Sequence, residues 1–303
     1  MLRYLVHRLI LTLLSLAGVF VLSFLLIHFV PGDPVDQMLG EQATAQDRQN
    51  LRHELGLDRP LLEQFAAYVT GQSLNRSLVT REPVKSEILR RFPATAELAL
   101  SSLFLALLWG LPLGLWAAIY ANRLPDLLAN MLSTLGMSVP GIFLGPALVY
   151  IFAIKLDWFP VSERGGLESL ILPATSLALP LGSVIARMTR AATVEVLSQD
   201  YMRTARAKGA GPYDLYFRHA LKNALIPLIT IVGLQLGALL TGTVITETIF
   251  DWPGIGTLIY TAIQKRDYPL VQGCVLFVAI IYVFVNLATD LCYAVVNPKV
   301  RLD

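Results

Sequence analysis

The sequence predicts an all-α integral membrane protein with six transmembrane helices and a small helical insertion after the first, and three observations lead there. Of its 303 residues 55% are apolar and only 15% charged, whereas soluble domains hold about 45–50% apolar residues. Six apolar runs recur, each near the ~20 residues that an α-helix needs to cross a bilayer. Between the fourth and fifth runs lies a basic stretch with Arg187, Arg190, Arg203, Arg206, Lys208, Arg218 and Lys222 against Glu195, Asp200 and Asp214. Such an excess of Lys and Arg beside apolar spans marks the cytoplasmic side.

Residues 1–30 form an N-terminal tail with Arg3 and Arg8 and a first span over 9–30, too long for a cleaved signal peptide. Residues 31–93 are the one long hydrophilic stretch and form an extracytoplasmic subdomain, because the first span exits there. Within it, 45–55 has helical composition and stops at Gly56, and Asp58-Arg59-Pro60 opens a second helical run over 61–69. The transmembrane core occupies 94–303, with spans over 97–120, 132–154, 170–188, 226–250 and 271–296. Six spans place both termini on the cytoplasmic side, together with Arg123, the basic loop over 189–225, Lys299 and Arg301. Cys274 and Cys292 fall 18 positions apart in the last span, about 27 Å on a continuous helix, too far to bridge.

Glycines four apart occur at Gly110 and Gly114, Gly141 and Gly145, and Gly233 and Gly237, which lets helix backbones approach closely and argues for a bundle. Pro112, Pro140, Pro146 and Pro180 inside spans imply kinks. Polar residues in the last two spans are candidates for a translocation path, since an unpaired charge at mid-membrane costs on the order of 3 kcal/mol. They are Gln235, Thr243 and Glu247 in the fifth span, beside Thr241 and Thr246, and Asn286 in the sixth. For Glu247 a path or gate role and a structural pairing role both stand. Asp290 reads as an interfacial anchor or the partner of a loop arginine.

Catalytic constellations are missing. His7, His28, His53 and His219 are scattered, and no Cys-x-x-Cys, His-Glu-x-x-His or Gly-x-Ser-x-Gly occurs. The glycines at 237 and 242 imitate phosphate-loop spacing but lack its lysine and sit in an apolar run, so any ATP is held by another subunit. The net charge of +2 is scattered over loops and leaves no nucleic-acid footprint. No metal site is expected.

The basic loop has its own geometry. Residues 203–208 contain no helix breaker, Gly209-Ala210-Gly211-Pro212 supplies a stop and a restart, and 213–225 reads as a second helix. On that helix Leu215, His219 and Lys222, with Tyr216, Ala220 and Asn223 beside them, give a mixed aromatic and basic face directed away from the bilayer. The pattern resembles the cytoplasmic coupling loop, the EAA loop, of inner-membrane permease subunits of ATP-binding-cassette importers. Ala205, Gly209 and Leu221 match the general consensus. The form Asp-Tyr-Met-Arg-Thr-Ala-Arg-Ala-Lys-Gly at 200–209, continued by Arg-His-Ala-Leu-Lys-Asn-Ala-Leu-Ile-Pro at 218–227, is similar to the dipeptide, oligopeptide and nickel permease branch. So are Pro-Gly-Asp-Pro at 31–34, the stretches 55–61, 91–95, 246–256 and 266–273, and, with two departures, the tail at 297–301.

The resemblance implies a type I importer permease, the MetI-like fold, in a bacterial inner membrane. It implies a second homologous permease subunit, two ATP-binding subunits that hold ATP and Mg, and a periplasmic substrate-binding protein as partners, with no cofactor in this chain. It further implies that Arg203, Thr204, Ala205, Arg206, Lys208, Gly209, Tyr213, Arg218 and His219 form the surface through which ATPase closure moves the helices, which needs a rigid corner. Di- or oligopeptides are the expected cargo, with nickel chelates and glutathione as alternatives. The competing class is an ion-gradient-driven secondary transporter, which usually pairs ionisable groups near mid-membrane.

Overall fold

The computed structural model describes the chain outside residues 1, 30–34, 36–38, 40–42, 55, 72–75, 162–163, 242 and 297–303. The Pro-Gly-Asp-Pro motif and the tail at 297–301 therefore lie outside the described residues. Helix α1 spans Leu2–Phe29, and the insertion contributes α2 (Ala45–Glu54) and α3 (Leu61–Val69). The core follows with α4 (Val84–Ile119), α5 (Leu124–Ser138), α6 (Gly141–Leu148, extended by a π-helical stretch Val149–Lys155) and α7 (Leu167–Leu197). The basic stretch folds as α8 (Asp200–Ala207) and a π-helical segment Asp214–Leu221 that runs into α9 (Lys222–Leu240). Two short helices, α10 (Val244–Ile249) and α11 (Ile255–Gln264), precede the last long one, α12 (Tyr268–Val296).

Among the described residues five helices are long and apolar enough to cross a membrane, and the bent pair α5–α6 makes a sixth span if counted as one. Large apolar side chains such as Leu13, Leu22, Phe104, Leu108, Leu135 and Phe143 face outward, as lipid contact requires.

The centre of the bundle is the contact of α4 with α7, and small residues set its closeness. A Cβ on Gly110 would lie 2.6 Å from the Gly182 carbonyl oxygen, and one on Gly114 2.3 Å from that of Ala186. Gly182 in turn lies under the Trp109 ring, whose indole N–H donates to Ala178 O at 3.3 Å. Helices α9 and α12 meet the same way, with Gly233 against Thr289 and Gly237 against Tyr282. Two of the three glycine pairs thus serve close helix packing. The third does not, because a Cβ on Gly141 would meet nothing within 4 Å among the described residues, and one on Gly145 would meet only the side chains of Ile249 and Phe250.

Helix α1 lies along α12, held at one end by Arg8 Nη1 on Asp290 Oδ2 at 2.6 Å. Toward the other end Phe24 packs on Phe65 and Tyr68 of α3, and Ser23 Oγ is 2.6 Å from Tyr68 Oη. The buried Asp267 fastens the insertion to the core. Its carboxylate accepts the Ser77 hydroxyl and the Leu78 N–H at 3.2 Å, and it also caps α12 through the Leu270 N–H at 3.3 Å.

The structure corrects several expected spans. The span at 132–154 is two helices meeting at 96°, and the first of them starts at Leu124. Val139 and Pro140 are both extended at the break, because proline removes a helix N–H and pushes the preceding residue out of the α region. The span at 226–250 ends at Leu240; Thr243 is non-helical with φ −88° and ψ 65°, and α10 is a separate turn. Helix α4 begins at Val84, so a boundary at 93 falls inside it. Pro93 is accommodated within α4, and α7 likewise continues to Leu197, beyond the expected end at 188.

Candidate functional site

The basic stretch forms a projecting corner at the end of the bundle where Arg8 and Asp290 meet. Gly209 has φ +87°. Around it the Ala210 N–H donates to Ala205 O and the Gly209 N–H to Arg206 O, both at 3.1 Å. This pair of bonds is the Schellman stop, which needs a left-handed residue after the last helical turn. Its apolar contact is present too, since Ala205 and Ala210 pack on a small core of Met202, Leu215 and Ala220. Asn223 Nδ2 then ties the two arms, donating to Tyr201 Oη at 3.0 Å and to His219 O at 2.8 Å.

Of the nine expected coupling residues, Arg203, Thr204, Arg206, Lys208, Gly209, Tyr213, Arg218 and His219 are exposed and Ala205 is half-buried. Of the expected outward face, His219, Lys222 and Asn223 are exposed and Tyr216 is half-buried, but Leu215 and Ala220 are buried. Because Asp214–Leu221 is π-helical, Leu215 and Ala220, five apart, turn inward together. That outward face also carries Tyr213 stacked on Phe217, with centroids 5.1 Å apart, and Arg218 bonded to Asp214 at 3.1 Å. The aromatic pair Tyr213–Phe217, four apart, was visible in the sequence as an i,i+4 spacing.

Behind the corner, Arg190 of α7 donates through Nε and, at 2.6 Å, through Nη2 to the buried Asp126 of α5. Asp126 also accepts the Asn122 N–H at 2.8 Å and the Asn130 amide at 2.7 Å. This bidentate pair fixes the base of the bent α5–α6 unit against α7, and nothing in the spacing of the sequence announces it.

The polar residues of the last spans share no side-chain hydrogen bond with one another among the described residues. Gln235 on α9 and Asn286 on α12 are half-buried, and Thr243 precedes α10; among the described residues none of the three forms a side-chain hydrogen bond. Glu247, one turn beyond Thr243 and donating its N–H to Thr243 O at 2.9 Å, has 0% exposure. Its Oε1 accepts the Thr95 hydroxyl at 2.9 Å and its Oε2 the Thr257 N–H at 2.9 Å, while Trp252 Nε1 donates to Ala94 O at 2.8 Å beside it. Both carboxylate oxygens are therefore engaged in joining α10, α11 and α4. Gly254 and Gly256 make room for the carboxylate, since a Cβ on either would come within 2.9 Å of it. Asp290 bonds Arg8 of the first helix rather than a loop arginine.

Near Glu247 lies a feature the sequence did not flag. Arg91, Asp251, Lys265 and others line a cleft of about 480 Å³ between α4, α11 and the start of α12. Its residues are far apart in sequence, so no local pattern marks them. Among the described residues no group of three His, Cys, Asp or Glu side chains could hold a metal ion.

Comparison with known proteins agrees with this architecture. Residues 110–302 match the family model described as the binding-protein-dependent transport system inner membrane component, and residues 1–99 match its N-terminal companion. The chain is 40% identical, over 99% of both chains, to the glutathione transport system permease protein GsiC of Escherichia coli strain K12, and 41% identical to that of Salmonella paratyphi A. Among solved structures it resembles inward-facing forms of the MetNI methionine ABC transporter with a TM-score of 0.60 at 18% identity, covering 70% of this chain and 96% of that one. An amino acid ABC transporter follows at 0.52 and 14%. Taken with the bundle of five long helices and one bent pair, these matches establish that the chain belongs to the binding-protein-dependent transport system inner membrane components, as a multi-pass permease subunit of an ABC importer.

Proposed function

We propose that this permease carries small peptides of the glutathione class across the bacterial inner membrane, driven by ATPase subunits that dock on the corner around Gly209. The observation that carries the coupling role is the projecting α8–Gly209–π-helical corner, which stacks Tyr213 on Phe217 and leaves Arg203, Arg206 and Lys208 exposed. A hinge-free corner of this kind transmits a push without folding away. Its basic side chains, with Arg8, belong at the cytoplasmic end by the positive-inside rule. That orientation puts both termini in the cytoplasm and the insertion, α2 and α3, in the periplasm, where a binding protein delivers substrate. A second permease subunit completes the path, and ATP and Mg are held by the ATPases.

Support for the cargo is the 40% identity to glutathione permeases over 99% of both chains; it shifts the expectation from longer peptides toward glutathione. The test is purification of this chain with its partners, followed by reconstitution in vesicles. ATPase subunits should co-purify, and labelled glutathione should accumulate only with ATP and the binding protein. Replacing Tyr213 and Phe217 together by alanine should lower ATPase retention. Accumulation of solute by the chain alone would overturn the reading.

A further inference from the structure

Six charged side chains line the cleft of about 480 Å³ between α4, the α10–α11 junction and the start of α12. Three of them are engaged within the protein. Arg90 Nη2 donates to the buried Glu87 at 2.8 Å, and Asp267 is saturated by Ser77, Leu78, Val79 and Leu270. The other three, Arg91, Asp251 and Lys265, form no side-chain hydrogen bond or ion pair among the described residues. Arg91 lies near Glu247, whose oxygens are already taken by Thr95 and Thr257.

Two further features make this more than a charged surface. Asp251 is held at φ +47°, a conformation that a non-glycine residue adopts at some cost and that recurs where a side chain must be aimed. The Trp252 N–H bond to Glu247 O at 2.8 Å and the buried Trp252 indole keep the strained turn in place. The volume falls within the roughly 300–1,000 Å³ typical of small-ligand pockets, and apolar walls from Leu258 and Leu270 complete it.

We propose that this cleft is a binding site for a small zwitterionic peptide with two carboxylates, Arg91 and Lys265 each taking a carboxylate and Asp251 the ammonium group. The site deepens the function proposed above and rests on it: by the orientation given there the cleft opens to the periplasm, where released cargo enters. Two free cations and one free anion complement a solute with two carboxylates and one amine, which glutathione is. A chloride-like or phosphate-like anion would leave Asp251 opposed.

The test uses the purified complex of permease and ATPase subunits without the binding protein. Saturation-transfer NMR and displacement of labelled glutathione read binding directly. Wild-type complex should give a saturable signal that glutathione diethyl ester, which lacks both carboxylates, does not displace. Arg91→Gln with Lys265→Gln should weaken it at least tenfold, the loss of a charge-assisted contact. Arg91→Lys should retain most of it, which a merely structural role for Arg91 does not predict. An unchanged affinity in the double variant, or displacement by short-chain phosphatidylglycerol but not by unlabelled glutathione, would overturn the assignment, the latter in favour of lipid headgroups. If the variants bind as wild type while reconstituted wild type still imports glutathione, the cleft assignment fails alone. If wild type imports no peptide, the cargo reading fails first.

Discussion

The Thr95 hydroxyl donates to Glu247 Oε1 at 2.9 Å and accepts the Ile255 N–H at 2.8 Å, so that one side chain of α4 joins a carboxylate to the first turn of α11. The carboxylate completes the turn by accepting the Thr257 N–H. Helix α11 has glycine at its N-cap, which offers no side-chain oxygen, and a remote glutamate supplies what a Ser or Asp there would.

Removing that carboxylate should therefore cost stability. Glu247→Ala leaves the Thr257 N–H and the Thr95 hydroxyl without their acceptor in a fully buried place, a loss of about 3 kcal/mol. Glu247→Gln keeps one acceptor oxygen and should lose about half as much. Thermal unfolding of the purified complex reads both, and an unchanged midpoint for the alanine variant would contradict the capping role.

The glycines around the carboxylate should be intolerant for a steric reason. A Cβ on Gly254 would lie 2.3 Å from Glu247 Oε1, whereas one on Gly141 meets nothing within 4 Å. Gly254→Ala is expected to destabilise by about 1–3 kcal/mol through overpacking, and Gly141→Ala to leave the unfolding midpoint within about a degree or raise it, since alanine favours helix. Equal midpoints for the two variants would show that the junction yields.

Asp126 and Arg190 make a third expectation. The pair is bidentate and the Asp126 side chain is only 5% exposed, so deleting Arg190 leaves a buried carboxylate without its countercharge. Arg190→Ala should cost about 3–5 kcal/mol, more than Arg190→Ala combined with Asp126→Ala. Expression level and unfolding midpoint of the three variants read the difference, and additive losses would show that the two charges are uncoupled.

What could be read in the sequence was whatever depends on local pattern. The apolar runs, the helices of the insertion, the glycine stop at Gly209 and the close faces at Gly110 and Gly233 all follow from spacing within one segment, and the structure shows each of them. The 96° break at Pro140 was legible as a kink but not as a corner, because a proline fixes one residue and the angle depends on what α5 and α6 pack against. Glu247 stayed ambiguous for a related reason: its partners Thr95 and Thr257 lie 152 and 10 residues away. The π-helical turn at 214–221 reassigned Leu215 and Ala220 from the outer face to the inner one, since a spacing rule of 3.6 residues fails where the turn widens.

Gly209 carries the sharpest test of the proposed coupling corner, because its space and its backbone make opposite demands. Nothing lies within 4 Å of a Cβ built there, so bulk alone is harmless, but φ is +87°. A β-branched side chain at that angle costs about 1–2 kcal/mol or more, while asparagine, which visits the left-handed region readily, costs much less. The strain falls on the stop between α8 and the π-helical segment, not on the bundle, whose core of α4 and α7 lies elsewhere. Gly209→Val should thus leave membrane insertion intact and abolish both uptake and the ATPase stimulation that substrate-loaded binding protein evokes. Gly209→Asn should keep most of both. If Gly209→Val cells took up substrate at the wild-type rate, the corner would not be the element that transmits ATPase closure to the helices.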